Sequence, residues 1–562
     1  MGIHEIGRFA VFALAFLSSV LVGSESHESN RIRYLMQKGK LHDCLNLYQS
    51  HFLKGEKHDL SLIQEMAISL LQEGYALSDD EMQIMAIFGA GISMDDKALG
   101  ILEEGLSNRN PMVQLVALNY LAKYQNDDAD AAINQALSSN FLPIRLEAVY
   151  HLAEKNYPTT VGQLESLMYK IDPALLPIFP ELFAMVGDPS SIQNLRRLMI
   201  HPLEAVRVEA ISSAARHGRD DLLPEIRKLA SHHQAAQQEA CAIALGTFKD
   251  QHSKEILQTM AQSSTASVRI AALLALYKIG HADVAREIEE IARNGDLFAI
   301  AALGEISGSE DLLSTMMSSP SLTIRVNATL SLLEHRDPRC IPGLVDILIR
   351  DSRDLAFVKT QTIGKGLSAW KVTPSAMHNL KNPQVGLEVS LKMREATLIQ
   401  ILEMDENLFF EVADVIFRSR QRELVPTTVF LIENLATPKS IELLKKHQQL
   451  VGAPLIRNYC NLALYRLKEE GPYLDNLKQW VHQQQMHEMI RFRPLVPREM
   501  NDENSSPYRL TPEDTSRLLV ESYETLAQSQ SDDAINILLN AIQYGNPKNR
   551  YALAGLLMRA AQ

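Results

Sequence analysis

The sequence is poor in cysteine and aromatic residues. Four cysteines stand far apart at Cys44, Cys241, Cys340 and Cys460, and Phe, Trp and Tyr together make 6% of 562 residues. No CxxC occurs, which removes a cysteine zinc site. Cys241 and Cys340 fall about three of the repeats described below apart, beyond the roughly 7 Å a disulfide spans. Each cysteine therefore reads as a small apolar filler of the core. Few aromatics beside abundant Ala and Leu favour helix over sheet. Basic residues are also short, with 55 Lys and Arg against 68 Asp and Glu, a net charge of −13. Nucleic acid is then a poor partner, because phosphate binding needs a basic face.

Familiar chemical signatures are missing as well. The phosphate-cradling GxxxxGK[ST] pattern is absent: Gly364-Lys365-Gly366 lacks the earlier glycine and a strand, and Gly89-Ala90-Gly91 has Met94 where a third glycine would stand. His487-Glu488 runs on into Met489, so HExxH and its two-histidine zinc face are absent, and no GxSxG elbow occurs. His232 and His233 are adjacent and would point in different directions on a helix. No catalytic residue, cofactor or metal ligand is expected. Of two glycosylation-type triplets, Asn327-Ala-Thr329 lies in an expected packed helix and Asn504-Ser-Ser506 in an expected loop.

Long apolar runs are confined to the start of the chain. A polar opening with Arg8 leads into Phe9 to Val22 without a charge, then Gly23, Ser24, Glu25 and Ser26. That run is shorter than the roughly twenty residues a membrane helix needs, and small residues follow it, the order of a cleaved signal peptide over 1–24. No later segment is long and apolar enough to span a bilayer, so the expected product is exported, periplasmic or secreted, and without a membrane span after cleavage.

What the sequence has in quantity is a ruler. Ile133, Leu164, Leu195, Ile226, Leu257 and Ile288 recur every 31 residues, and all are apolar. Three positions on stand Ala136, Leu167, Leu198, Leu229, Met260 and Ile291; four positions on stand Leu137, Met168, Met199, Ala230, Ala261 and Ala292. In a chain that is 46% apolar, eighteen such residues in succession arise by chance on the order of once in a million. The offsets 0, +3 and +4 mark one face of a helix. The face returns as Leu313, Met316, Met317 and then Leu344, Ile347, Leu348.

A second ruler follows each face at Val113, Ile144, Leu175, Val206, Ala236, Val268, Phe298 and Ile324. Four residues later come Ala117, Ala148, Phe179, Ala210, Ala240, Ala272, Ala302 and Ala328, and an alanine once per repeat suits a close helix crossing. Asn110-Pro111, Gly187-Asp188-Pro189, His201-Pro202, Gly218, Gly280 and Asp337-Pro338 start and stop the helices. Neither helix of such a hairpin buries its stripe alone, so the units stack. The expected fold class is all-α, an alpha-alpha superhelix.

Several segments resemble HEAT repeats of the short bacterial, phycobilin lyase-like type: Pro202-Leu-Glu-Ala-Val-Arg-Val-Glu-Ala, Ala266-Ser-Val-Arg-Ile-Ala-Ala-Leu, Leu322-Thr-Ile-Arg-Val-Asn-Ala and Asp337-Pro-Arg-Cys-Ile-Pro-Gly-Leu. The chain also resembles exported HEAT-repeat proteins of Gram-negative bacteria. The resemblance implies a structural ladder of Arg145, Arg207, Arg269 and Arg325 bonding carboxylates or carbonyls between repeats, with Gln114 and Gln237 substituting and Leu176 and Ala299 departing. Some HEAT-repeat proteins are iron hydroxylases with His-Glu pairs at the inner helices; Gln237-Gln238-Glu239 stands at the comparable place here.

The expected order is an N-terminal helical cap at 28–105, HEAT-like repeats at 106–350, degenerate helical repeats at 351–485, a Pro-rich charged loop at 486–512 and a C-terminal helical cap at 513–562. Gly39-Lys40 before Cys44, Leu45 and Tyr48 faintly resembles a tetratricopeptide turn. Two stretches fit no repeat, Lys371 to Val385 and the loop with Arg491, Phe492, Arg493 and Arg498. The function expected is a non-enzymatic scaffold holding a protein or peptide through the second helix of several repeats. Acidic residues such as Glu165, Glu225, Glu255, Glu289 and Glu290, with the 491–498 loop, are the partner-binding candidates, and the acids favour a basic partner. The alternative is a HEAT-type lyase or hydroxylase acting on a small molecule or modified side chain, which rests on fold analogy.

Overall fold

The computed structural model describes residues 27–52, 57–155, 160–349, 383–419, 422–450, 452–486, 490 and 512–562. The signal segment, Gly364-Lys365-Gly366, residues 371–382, His487-Glu488, Arg491, Phe492, Arg493, Arg498 and Asn504 lie outside the described residues. Among the described residues there are helices and turns and no strand. Packing divides the chain into two units. One holds Met1–Gln125, Val481–Ile490 and Leu519–Gln562; the other holds Asn126–Trp480 and Arg491–Leu518.

The first unit is built from both ends of the sequence. Its leading helices are α1 (His27–Gln37), α2 (Leu41–Phe52), α3 (Leu60–Ala76), α4 (Asp80–Ser93), α5 (Leu99–Leu106) and α6 (Pro111–Leu121). The starts of α3, α4 and α6 are chemically marked. The Asp59 carboxylate accepts the Leu62 amide at α3, Asp79 accepts those of Glu81 and Met82 at α4, and Asn110 caps α6 with Pro111 at its first position. The last helix of the chain, α30 (Arg550–Ala560), packs on α4 and α3. This C-terminal helix and the N-terminal ones, which the sequence separates into two caps, share one core of Leu62, Met66, Leu70, Met85, Leu553 and Leu557.

The second unit begins with α7 (Asp127–Gln135), α8 (Leu142–Glu154), α9 (Thr160–Met168), α10 (Phe179–Val186), α11 (Pro189–Met199), α12 (Glu204–Arg216), α13 (Leu223–Ala230) and α14 (Ala235–Thr247). It continues with α15 (Lys254–Met260), α16 (Ala266–Lys278), α17 (Val284–Arg293), α18 (Leu297–Leu303), α19 (Glu310–Met316), α20 (Leu322–Glu334) and α21 (Ile341–Ile349). After these come α22 (Pro383–Met404), α23 (Glu406–Arg418), α24 (Val425–Leu435), α25 (Pro438–Gln448), α26 (Pro454–Arg466) and α27 (Tyr473–Gln484). Helix α28 (Pro512–Gln528) spans the boundary at Leu518, and α29 (Asp532–Tyr544) precedes α30.

In the second unit α8, α10, α12, α14, α16, α18 and α20 pack each on the next, and each also pairs with the other helix of its hairpin. This is the stacked-hairpin superhelix that the ruler requires. The column Ile133, Leu164, Leu195, Ile226, Leu257 and Ile288 is fully buried, and each side chain contributes roughly 1.5 to 3 kcal/mol by leaving water. The alanine column from Ala117 to Ala328 is buried throughout, Phe179 included. Of the second ruler, Phe298 and Ile324 are half-buried and two positions are exposed. Leu175 is 42% exposed, because Pro173 and Pro177 turn Pro173–Ile178 into a 3₁₀ segment that lies before α10. Ala236 is exposed because α14 starts only at Ala235, and its first buried side chain is Gln237.

Candidate functional site

The arginines of the sequence signature sit early in the stacked helices, and three of them turn back to the loop just before their own helix. Arg207 Nη1 donates to the His201 and Pro202 carbonyls at 2.6 and 2.9 Å. Arg269 Nη1 reaches the Ser263 carbonyl at 2.9 Å, and Arg325 Nη1 reaches those of Ser319 and Pro320 at 2.8 and 3.1 Å. Gln114 donates to the Asn108 carbonyl in the same way. Each bond satisfies a loop carbonyl that the helix cannot reach. Of the four arginines, Arg207 also crosses to the next repeat: Nε donates to Gln237 Oε1 at 2.6 Å and Nη2 to Gln234. Arg145 Nε is buried without a partner. The arrangement is a set of clamps within repeats, rather than the ladder between repeats that the resemblance implies.

The acidic candidates are placed on the short helices: Glu165 on α9, Glu225 on α13, Glu255 on α15 and Glu289 on α17. Asn194 donates to Glu165 at 2.6 Å, Arg196 pairs with Glu225 at 2.9 Å, and Arg293 lies 3.8 Å from Glu289. Glu255 is exposed. The structure does not gather these four into one site, and three of them already have local partners.

It gathers a different set. On α8 the imidazole of His151 lies between Glu147 and Glu154, 3.5 Å from each, and those carboxylates remain 41% and 47% exposed. Tyr150, also exposed, stands beside them. Its hydroxyl is pushed up by a hydrogen bond to Glu154, then by partial burial and the charges of Glu147 and Glu181. On α10, Glu181 accepts from Arg216 at 2.5 Å and bonds His217 Nε2 at 2.9 Å. Burial alone would raise this carboxyl, but the bonds from His217 and Arg216 outweigh it and hold it down at about 2. Arg216, at the end of α12, also binds Glu209. The face thus crosses three successive helices with four carboxylates, one arginine, two histidines and one exposed aromatic ring. Sequence reasoning missed it because Glu154 and Glu181 follow no 31-residue column and Ile178 interrupts the one that Glu147 and Glu209 share; an acid two positions past Arg145 and Arg207 was the available signal.

One constellation has the appearance of a hydrolytic triad. Ser309 Oγ is 3.1 Å from His335 Nε2, and His335 Nδ1 is 3.4 Å from Glu310. The Leu303 carbonyl, however, takes bonds from both Ser309 Oγ at 2.7 Å and His335 Nε2 at 2.8 Å. A nitrogen facing a carbonyl must carry its proton, so it cannot receive one from the serine. Ser309 is also 1% exposed. These groups tie the start of α19 to the end of α18.

The four thiols are free and buried. Burial pushes Cys44 and Cys340 up to about 12, and raises Cys241 and Cys460 as well, so none is a ready nucleophile. Among the described residues no three His, Cys, Asp or Glu side chains are placed to share a metal ion, and no helix is long and apolar enough to cross a membrane.

Residues 192–277, from α11 to α16, match the family profile described as HEAT repeats. The chain contains HEAT repeats. Among solved structures it is similar to the karyopherin Kap121p bound to the extreme C-terminus of the protein phosphatase Cdc14p, at 12% identity over 97% of this chain and 71% of that one, with a TM-score of 0.37. It is also similar to the CpcE and CpcF complex of phycocyanin lyase from Nostoc sp. PCC7120, at 17% identity over 50% of this chain and 92% of that one, with a TM-score of 0.19. No curated protein matches the sequence. The stacked helices around these repeats carry both the arginine clamps and the acidic face.

Proposed function

We propose that this HEAT-repeat protein is an exported, non-enzymatic scaffold that holds a protein or peptide partner along the stacked helices of its second unit. The observation that carries the reading is the face of Glu147, Tyr150, Glu154, Glu181 and Glu209, which three successive helices supply and in which carboxylates outnumber cations. Extended partners suit such a surface, since each added repeat offers another row of side chains at a fixed spacing. The excess of carboxylate favours a basic segment, and an arginine or lysine of that segment can lie over the Tyr150 ring. Export follows from the uncharged Phe9 to Val22 run with small residues after it.

The test is fluorescence anisotropy with labelled Arg- and Lys-containing peptides and acidic controls. Basic peptides are expected to bind in a salt-sensitive manner, and Glu147→Lys with Glu154→Lys is expected to weaken them at least tenfold. Equal binding by the variant, preference for the acidic peptides, stoichiometric iron, or strong thermal stabilisation by a tetrapyrrole would each overturn the scaffold reading. N-terminal sequencing of exported protein decides the signal segment, since an intact Met1 contradicts cleavage.

A further inference from the structure

A cluster far along the sequence from the acidic face is built around one carboxylate. Asp414, on α23, receives His447 Nε2 at 2.6 Å and Lys446 Nζ at 2.7 Å from α25, and Arg418 from its own helix. His447 is 2% exposed and its ring lies 4.8 Å from that of Phe417. The other ring nitrogen, Nδ1, is buried with no hydrogen-bond partner. Helices α24 and α26 also pack on α25, yet neither supplies a hydrogen-bonding or charged partner to the imidazole.

This geometry fixes the protonation state. Nε2 faces a carboxylate oxygen and so carries the proton, which leaves Nδ1 as a bare lone pair in an apolar setting. An unfilled acceptor is tolerable there. A second proton would create a buried donor with nothing to receive it, and would bring a third cation to a carboxylate already shared by Lys446 and Arg418.

We propose that Asp414 and His447 form an acid-sensitive latch between two successive helical repeats of the second unit. While the imidazole is neutral, its bond to Asp414 ties α25 to α23. In acid, the opened arrangement can take up the proton that the closed one refuses, so opening is favoured as pH falls. Burial, with the charges of Lys446 and Arg418, lowers the group to about 4, consistent with a closed latch that stays neutral well below pH 6.

Hydrogen exchange of the full chain, corrected for intrinsic rates, tests this. Between pH 6.5 and pH 4.5 the opening of α23 and α25 is expected to rise about 40-fold relative to α14, since the open imidazole is already half protonated at pH 6.5 and the closed one starts to take up the proton near pH 4. His447→Gln, which cannot titrate, is expected to abolish the rise. A rise in α23 and α25 no greater than in α14, or one that survives in His447→Gln, overturns the latch. Should that variant not fold, Lys446→Ala removes a competing cation at an exposed site and is expected to shrink the rise. An unchanged rise in Lys446→Ala overturns the proposal equally.

Discussion

The backbone of Gly555 in α30 rests directly on that of Gly89 in α4, so that a Cβ on Gly555 would overlap the Gly89 carbonyl. The crossing joins the two ends of the sequence inside one core. Replacing Gly555 by valine must push the helices apart, since the obstacle is backbone and cannot rotate away. A loss of about 3 kcal/mol is expected. Urea unfolding measures it, and exchange protection should fall in α4 and α30 together.

Gly100 in α5 supplies the contrast. It is exposed, and no atom stands near the place of an added Cβ. Gly100→Ala should raise stability by about 0.5 to 1 kcal/mol, because alanine loses less backbone entropy in a helix. Thermal melting of the two glycine variants should move in opposite directions.

The arginine clamps should differ in strength. Arg207 is buried and bonds two carbonyls and two glutamines, while Arg269 is less buried and holds one carbonyl. Arg207→Ala should cost about 3 kcal/mol and Arg269→Ala about 1 kcal/mol, as scaled by the bonds and stranded carbonyls. Chemical denaturation of the two variants orders them.

Glu181 gives a pH signature. Its folded value of about 2 lies below the ordinary 4.5, so its contribution is complete above pH 4.5 and is lost as pH falls from there towards 2. The carboxylate is 34% exposed, and solvent screening reduces the contribution to about 1 kcal/mol. Glu181→Gln should flatten the stability curve across that window by this amount, as read by denaturation at pH 3 and pH 5.

The architecture of the middle of the chain was legible because each repeat buries the same positions. Leu195, Ile226 and Leu257 occupy one environment three times over, and selection for burial writes one letter class at one spacing. Proline and aspartate marked the helix starts for equally local reasons, as Asp188 before Pro189 shows. The joining of the chain ends was not legible, since the fit of Gly89 to Gly555 is set by residues more than 450 positions apart. A glycine pair inside a helical pattern, as at Gly89 and Gly91, signals close approach: here to α30 for the first and to the Tyr120 ring for the second.

The candidate site was less readable for a related reason. Surface carboxylates need not repeat: Glu147 and Glu209 share a column that Ile178 interrupts, and Glu181 is brought to them by the stacking of α8, α10 and α12. Conversely, Glu165 and Glu225 looked free in the sequence because their partners Asn194 and Arg196 lie about one repeat away. The arginines were readable as a series, but the target of each, a carbonyl five or six residues back, depends on a loop bend that residue types do not specify.

The docking of α30 on α3 and α4 also sets a timetable for biosynthesis. Helices α3 and α4 leave the ribosome with their apolar faces unshielded, and α30 is translated more than 450 residues later. At 5 to 20 residues per second the wait is roughly 20 to 90 seconds. Throughout that interval the apolar faces of α3 and α4 stay open to water, and their core closes only once α30 has been made.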